Sequence, residues 1–196
     1  MRLGLDADEV LTTTRSVRKR LDLERPVERE VIEECLDIAL QAPTGSNAQG
    51  WQWVFVTDPE KKKVIADFYG ANYDKYTNRP DQPQYGVDDP RTAQRPKIMD
   101  SSRYLREIFH QVPVMMIPCI QGQGRLDSGV PTFGQASAWG SILPAVWSFM
   151  LALRERGLGS AWTTLHLPNE KEVADLLGIP FDTVTQAGLF PIAYTK

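Results

Sequence analysis

The sequence predicts a single domain that mixes helices with strands. Its 196 residues match the usual size of one domain, and 42% of them are hydrophobic, which is enough to bury one core. Apolar residues recur at three- and four-residue steps over residues 31–42, the spacing of a helix, whereas bulky and β-branched residues fill residues 51–57, as in a strand. No internal repeat, low-complexity tract or interdomain linker interrupts the chain.

The charge balance argues against a nucleic-acid-binding surface. The chain carries 22 basic and 25 acidic residues. Nucleic-acid-binding domains usually have an excess of basic residues that replaces the counterions of the nucleic-acid phosphates, and this chain has no such excess. Any anion site must therefore be local. The two cysteines, Cys35 and Cys119, lie in apolar runs without C-x-x-C spacing and are expected as packed, reduced thiols. Acidic residues at Asp6, Asp8 and Glu9 disfavour a signal peptide, and we expect a cytoplasmic protein.

The N-terminal half begins with a short helix around residue 10 that runs into a basic segment, residues 15–20. A second helix is predicted over residues 28–41, since acidic residues favour its start and Pro43 ends it. After the strand at residues 51–57, Asp58 is a plausible N-cap and Pro59 fits the first helical position. That third helix should reach about residue 69.

The C-terminal half begins with a polar stretch. Residues 70–93 are rich in Asn, Asp, Gln and Pro and have no apolar periodicity, which predicts a long excursion, either a lid over a site or a loose insertion. The pattern then predicts the following order: a helix at 101–109, a strand at 112–120, a helix at 133–156, a strand at 159–165, a helix at 169–177 that begins with a capping box at Asn169, and a strand at 183–194.

The helix at 133–156 raises the question of a membrane span. Its densest apolar part, residues 139–153, extends roughly 22 Å, short of the hydrocarbon core of about 30 Å. We therefore expect a buried helix and no membrane partner.

Most signatures of catalysis are missing from the sequence. It has no Walker A motif, no H-E-x-x-H and no nucleophile elbow, and the glycines at 122 and 124 make a poor dinucleotide fingerprint. The two histidines, His110 and His166, are expected at the surface or core edge, without a metal.

Three segments can nevertheless bind a polar ligand. Arg15, Ser16 and Arg18 bring two guanidinium forks and a hydroxyl together, which suits phosphate. A charge cluster taken alone is more typical of a solvated basic face, and that interpretation stays open. The loop at residues 42–51 combines small residues with amides, suited to a planar polar ligand. The turn at residues 157–164 ends in two threonines that offer hydroxyls and backbone N–H groups.

The sequence resembles the FMN-dependent nitroreductase family through four segments that follow one another in this order: RSVRK, APTGSNAQGW, GLGSAWTT and FPIAY. The resemblance covers most of the chain and leaves out residues 70–106, the predicted lid or excursion of a single domain spanning residues 1–196. It implies an α+β fold with a mainly antiparallel central sheet flanked by helices, an intertwined homodimer, and FMN bound between subunits and reduced by NADH or NADPH.

The resemblance also assigns site residues. Arg15, Ser16 and Arg18 would contact the FMN phosphate, ribityl chain and pyrimidine end. Pro43, Thr44 and Asn47 would come from the partner subunit, and Thr163, Thr164 and Leu165 would approach the isoalloxazine. Flavin N5 carries the hydride in this family, so no catalytic side chain is demanded.

The function so implied is an FMN-dependent NAD(P)H oxidoreductase that reduces nitroaromatics, quinones or related small molecules by a ping-pong mechanism. A specialised flavin dehalogenase or oxidase and an FMN-binding protein without turnover stay open as alternatives. The sequence departs from the family at two places: Thr14 stands where many relatives have a further arginine, and Lys196 stands where they continue into a tail with a phosphate-binding cation.

Overall fold

The computed structural model describes residues 2–127 and 129–196 and shows an α+β fold in which helices flank an antiparallel sheet. The described residues form six α-helices: α1 Ala7–Thr13, α2 Arg29–Ala39, α3 Pro59–Thr77, α4 Pro90–Ile108, α5 Thr132–Glu155 and α6 Glu170–Leu177. They also form five strands: β1 Trp51–Val56, β2 Val114–Gln121, β3 Leu158–Gly159, β4 Val184–Gln186 and β5 Phe190–Tyr194. The short 3-10 helices are Gly45–Asn47, Phe109–Gln111 and Leu167–Asn169.

Strand β2 organises the sheet. The strand order is β1-β2-β5-β3, with β4 pairing β2 beside β5, and every ladder is antiparallel. All residues of β2 except the last are buried, and its side chains alternate between two apolar layers. Met115, Ile117 and Cys119 face α3, α4 and α6, whereas Val114, Met116 and Ile120 face α2 and α5. The sheet therefore lies between two helical layers.

A one-residue bulge separates β4 from β5. Cys119 pairs with Gln186 and Met116 with Phe190. Three residues along β2 therefore correspond to four residues along the segment that runs from β4 to β5. Pro118 lies at this point, and its carbonyl accepts a hydrogen bond from the Ala187 N–H at 2.8 Å. Because the N and C=O of one strand residue point to the same neighbour, the missing proline N–H also faces the bulge, where pairing is already interrupted.

Three predicted elements differ from the structure. Helix α3 continues to Thr77 and α4 begins at Pro90, so only residues 78–89 of the predicted excursion lie outside a helix. The strand predicted over 159–165 is reduced to β3, because residues 160 and 163 make only single bridges. The final strand, predicted as continuous over 183–194, is divided into β4 and β5 by the bulge.

Of the two predicted helix N-caps, the structure confirms one and contradicts the other. Asp58 caps α3 as predicted, since its carboxylate accepts from the backbone N–H groups of Glu60 and Lys61 at 2.9 and 3.2 Å. Asn169 makes no side-chain cap to the backbone of α6; its amide instead donates to the Glu172 carboxylate at 3.1 Å. The capping box predicted at Asn169 is therefore wrong.

Among the described helices, α5 alone is long and apolar enough to cross a membrane by length and composition. Ile142, Val146 and Phe149 are fully buried in the layer between α5 and the sheet. The helix packs as a core element, as the sequence predicted.

Candidate functional site

The Arg15–Arg18 segment is fastened beside the sheet edge formed by β3. The Val17 N–H donates to the Ser160 carbonyl at 2.8 Å, and Ser16 pairs with Ser160 as a parallel bridge. Glycine at 159 allows this close approach, because a Cβ there would lie 2.7 Å from the Cβ of Val17. These backbone contacts therefore fix the main-chain position of Arg15 and Arg18, which lie on either side of Val17.

A cleft of about 480 Å³ opens along this segment. Helix α4 forms its other wall. Arg18 donates to the Ser101 hydroxyl at 3.3 Å, and Lys19 forms an ion pair with Asp100. The cleft is lined by Arg15, Ser16, Val17, Arg18, Lys19, Arg20, Lys97, Ile98, Asp100 and Ser101. Five of these side chains are cationic and one is anionic, so the cleft favours an anionic ligand.

Tyr69 of α3 lies buried close to Arg18. Burial raises the pKa of this tyrosine to about 12, and the positive charge of Arg18 opposes that shift. The phenol is therefore neutral at physiological pH and places no negative charge beside Arg18.

A second, smaller cavity of about 120 Å³ adjoins the cleft near the end of α5. Arg15 and Arg20 line both spaces, and Arg154 lines the smaller one. Arg154 donates to the Thr13 hydroxyl at 3.3 Å. The buried Ser160 hydroxyl, also on the wall, has no hydrogen-bond partner.

The turn containing Thr163, Thr164 and Leu165 is held by the bulge. The Leu189 N–H donates to the Thr163 carbonyl at 2.8 Å, and the Thr163 hydroxyl donates to the Leu189 carbonyl at 2.6 Å. Leu189 is free for these bonds because the bulge turns it away from β2. Thr164 is exposed and Leu165 packs on the core. Since Ser160 is three residues before Thr163, the turn begins within about 10 Å of Ser160, the residue that pairs with Ser16.

Behind the turn lies a buried polar network. His166 is fully buried, and its Nε2 lies 3.1 Å from the Gln186 side-chain oxygen. Gln186 donates through its amide to the Glu170 carbonyl at 2.9 Å, and Glu170 pairs with Arg125 at 2.5 Å. Burial lowers the pKa of His166 to about 4, so the ring is neutral at pH 7. The histidine anchors the turn to β4, and among the described residues it belongs to no cluster of three or more histidine, cysteine, aspartate or glutamate side chains that could hold a metal ion.

Pro43, Thr44 and Asn47 lie elsewhere. Their loop packs on the N-terminal half of α5, where the Gly45 N–H donates to the Ser141 hydroxyl at 3.0 Å. Residue Asn47 itself is exposed, with a φ of 52°. The thirteen residues from Ser141 to Arg154 correspond to about 20 Å of helix. One chain therefore brings Arg15, Ser16 and Arg18 close to Thr163–Leu165 and leaves the loop apart from both.

The family model named Nitroreductase family matches residues 11–194 of this chain. The chain belongs to the nitroreductase family. This protein is 26% identical over 185 residues, 94% of the chain, to an iodotyrosine deiodinase of Thermotoga neapolitana, and the match covers 86% of that relative.

Two solved structures share the nitroreductase fold. An FMN and NADPH-dependent nitroreductase, NfnB from Sphigopyxis sp. strain HMH, superposes with a TM-score of 0.69 at 23% identity, covering 98% of this chain and 89% of that one. An iodotyrosine deiodinase bound to FMN and 3-iodo-L-tyrosine gives 0.65 at 22% identity, covering 95% and 88%.

Sequence reasoning about this nitroreductase-family chain missed four residues that line the two spaces. Lys97 and Ser101 lie within residues 70–106, which the family resemblance leaves out, and Arg154 belongs to no recognised ligand pattern. Ser160 lies in the turn at residues 157–164, but the pattern did not single it out. The one available signal was the position of Arg154 in the last turn of an otherwise apolar helix, where a cation is favoured by the helix dipole.

Proposed function

We propose that this protein is an FMN-dependent oxidoreductase that takes hydride from NADH or NADPH and passes it to a nitroaromatic, a quinone or a related small acceptor. One observation carries the proposal: Arg15, Ser16 and Arg18 line one cationic cleft next to the Thr163–Leu165 turn. The resemblance implies a flavin bound at these residues, and a protein of the same fold is described as FMN and NADPH-dependent.

The donors in the cleft fit FMN. When bound, FMN supplies the group that accepts and donates hydride. The guanidinium of Arg15 and the hydroxyl of Ser16 suit the phosphate and ribityl oxygens, because a guanidinium fork binds phosphate through paired hydrogen bonds. Arg18 would contact the pyrimidine end and stabilise negative charge there. Thr164 and Leu165 offer backbone groups and an apolar surface to the isoalloxazine.

A second protomer completes the site in this proposal. The loop with Pro43, Thr44 and Asn47 lies about 20 Å along α5 from the arginines, so a two-fold axis that pairs the α5 helices antiparallel carries Asn47 of the partner subunit to the cleft. Helix α5 has an exposed apolar surface for such a contact, since Phe133 is 80% exposed and Trp147 40% exposed. Sedimentation of wild-type protein and Trp147→Glu tests it; a wild-type monomer that binds FMN would contradict the intertwined dimer.

The cofactor assignment is tested by titrating FMN into the purified protein and adding NADPH without oxygen. We expect a yellow complex whose visible absorbance is bleached. Arg18→Ala should weaken FMN binding about 10- to 150-fold, the usual effect of losing a charged hydrogen bond. Arg29→Ala, which removes an exposed arginine of α2, is the control. A protein that cannot be loaded with FMN refutes the proposal, and flavin that stays oxidised supports a binding protein without turnover.

Reductive dehalogenation is the second candidate. It is favoured by the position of α4, whose Lys97, Ile98 and Ser101 line the cleft, and by the deiodinase relative. In this alternative α4 acts as a lid that restricts the acceptor. The two activities are separated by comparing kcat/KM for a nitroaromatic with that for 3-iodotyrosine in the same flavin-loaded preparation; a clear preference for the halogenated compound selects the dehalogenase.

A further inference from the structure

A further cavity, of about 370 Å³, lies where the segment before α2 meets the start of β2. The early part of α3 closes it from a third side, through Lys62. The cavity shares no lining residue with the cationic cleft or with the smaller cavity near the end of α5. It is therefore a separate space, and the proposed flavin chemistry uses none of its residues.

Lys62 brings a buried positive charge to the wall of this cavity. The residue is only 7% exposed, and its ammonium donates to the Val112 carbonyl at 2.6 Å and to the Pro113 carbonyl at 3.4 Å. Both partners are neutral, and the second contact is long for a hydrogen bond. Among residues 2–127 and 129–196, Lys62 takes part in no ion pair. A buried charge without a counterion costs free energy, and an anion in the adjoining cavity would reduce that cost.

Arg25 gives a second, independent indication of an anion site. It lines the same cavity, and its guanidinium carbon lies 3.4 Å from the centre of the Tyr194 ring. The nearby Glu28 carboxylate accepts from the Tyr194 hydroxyl at 2.6 Å and does not line the cavity. Within the part of the chain that the structure describes, Arg25 also forms no ion pair. Its planar fork can bind a carboxylate through paired hydrogen bonds.

The other walls of the cavity restrict the kind of anion. A volume of about 370 Å³ is the space of roughly twelve water molecules, more than an inorganic ion fills and within the range of small-molecule pockets. Glu24 is the one acidic residue on the described wall, so two cations and one carboxylate leave room for a single negative charge. Half of the lining residues are apolar and suit an apolar body: Leu23, Pro26, Val27, Pro113 and Val114.

We propose that this cavity binds a small organic acid that has one carboxylate and an apolar body, with the carboxylate held by Lys62 and Arg25. The apolar body packs on the proline and aliphatic side chains of the wall, which explains why a cavity with two cations is otherwise so poor in polar groups. The site is independent of the proposed function, because the cationic cleft and this cavity have no residue in common.

The test is calorimetric titration of the purified protein with benzoate and with hexanoate, one flat and one flexible probe, and with benzamide, which has the shape of benzoate without its charge. We expect at least one acid to bind wild type and benzamide to bind at least tenfold more weakly than benzoate. Lys62→Met should weaken the acid about 10- to 150-fold, the usual effect of losing a charged hydrogen bond. Lys61→Met, which removes the exposed neighbouring lysine, is the matched control and should bind as wild type does.

Thermal melting checks that Lys62→Met folds, since the Val112 carbonyl loses its donor in that variant. If it does not fold, Arg25→Gln changes an exposed residue and should by itself weaken the acid at least tenfold. Three results overturn the inference: neither acid binds wild type, benzoate and benzamide bind equally well, or the acid binds Lys62→Met and Arg25→Gln as tightly as wild type. In the last case, a loss of binding in Arg18→Ala would place the acid in the cationic cleft instead.

Discussion

The buried histidine predicts a specific loss of stability in mild acid. His166 has an ordinary pKa of 6.5 when unfolded and about 4 in the fold, because burial disfavours its charged form. Well above pH 6.5 the ring is neutral in both states and contributes no pH dependence. As the pH falls toward 4, the unfolded chain binds a proton that the folded chain does not, so the free energy of unfolding decreases.

These two values give a loss of about 2 kcal/mol between pH 7 and pH 5 from this residue alone. Since carboxylates also titrate in acid, the measurement is a difference between proteins. Urea unfolding at pH 7 and at pH 5 should show that His166→Gln loses about 2 kcal/mol less than wild type. His110→Gln, which removes the exposed histidine, is the matched control and should follow wild type.

The same slope for His166→Gln and wild type would refute this reasoning, because it would mean that the folded protein accommodates a charged ring. A lower stability of His166→Gln at both pH values is a separate effect. It would report the lost contact to the Gln186 side chain.

Three further predictions concern packing, thiols and the cofactor. Gly159→Ala should destabilise the fold by about 1–3 kcal/mol through overpacking, since the new Cβ would lie 2.7 Å from its nearest neighbour, whereas Gly124→Ala meets nothing within 4 Å and should be neutral in a thermal melt. Cys35 and Cys119 are fully buried, and burial raises their pKa to about 11 and about 12, so Ellman's reagent should react with them only in denaturant; rapid reaction of the native protein would contradict their burial. Arg18→Ala should shift FMN binding and leave the melting temperature of the flavin-free protein within a few degrees, and a large drop in that temperature would mark Arg18 as structural.

Much of the fold could be predicted wherever one element carries its own signal. Helix α2 followed from the spacing of its apolar residues, and α3 began at Asp58 and Pro59 as expected. The second half of α3 was missed because its buried side chains include Asn72, whose amide donates to Asn169 at 2.9 Å. Helix α4 buries only Leu105 and Ile108, both near its end, so its first part shows no apolar period to detect.

The residues of the candidate site differ in the same way in how far the sequence could predict them. Arg15, Ser16 and Arg18 are neighbours in sequence, and their donor chemistry was readable there. Their proximity to Lys97 and Arg154 depends on how α4 and α5 pack, which no local pattern records. The break between β4 and β5 likewise lies opposite a proline on another strand, Pro118, so it could not be predicted from residues 183–194 alone.

The position of β5 has a consequence for the order of assembly. This strand follows every other strand in sequence, yet it lies between β2 and β3 and is the only described partner strand of β3. During synthesis the ribosome therefore releases β2 well before the neighbour that covers its second edge. The nascent chain exposes an apolar, unpaired strand in this interval, which is a template for association with other chains. The contacts between β2 and β5 join residues distant in sequence, so we expect the sheet to be completed slowly.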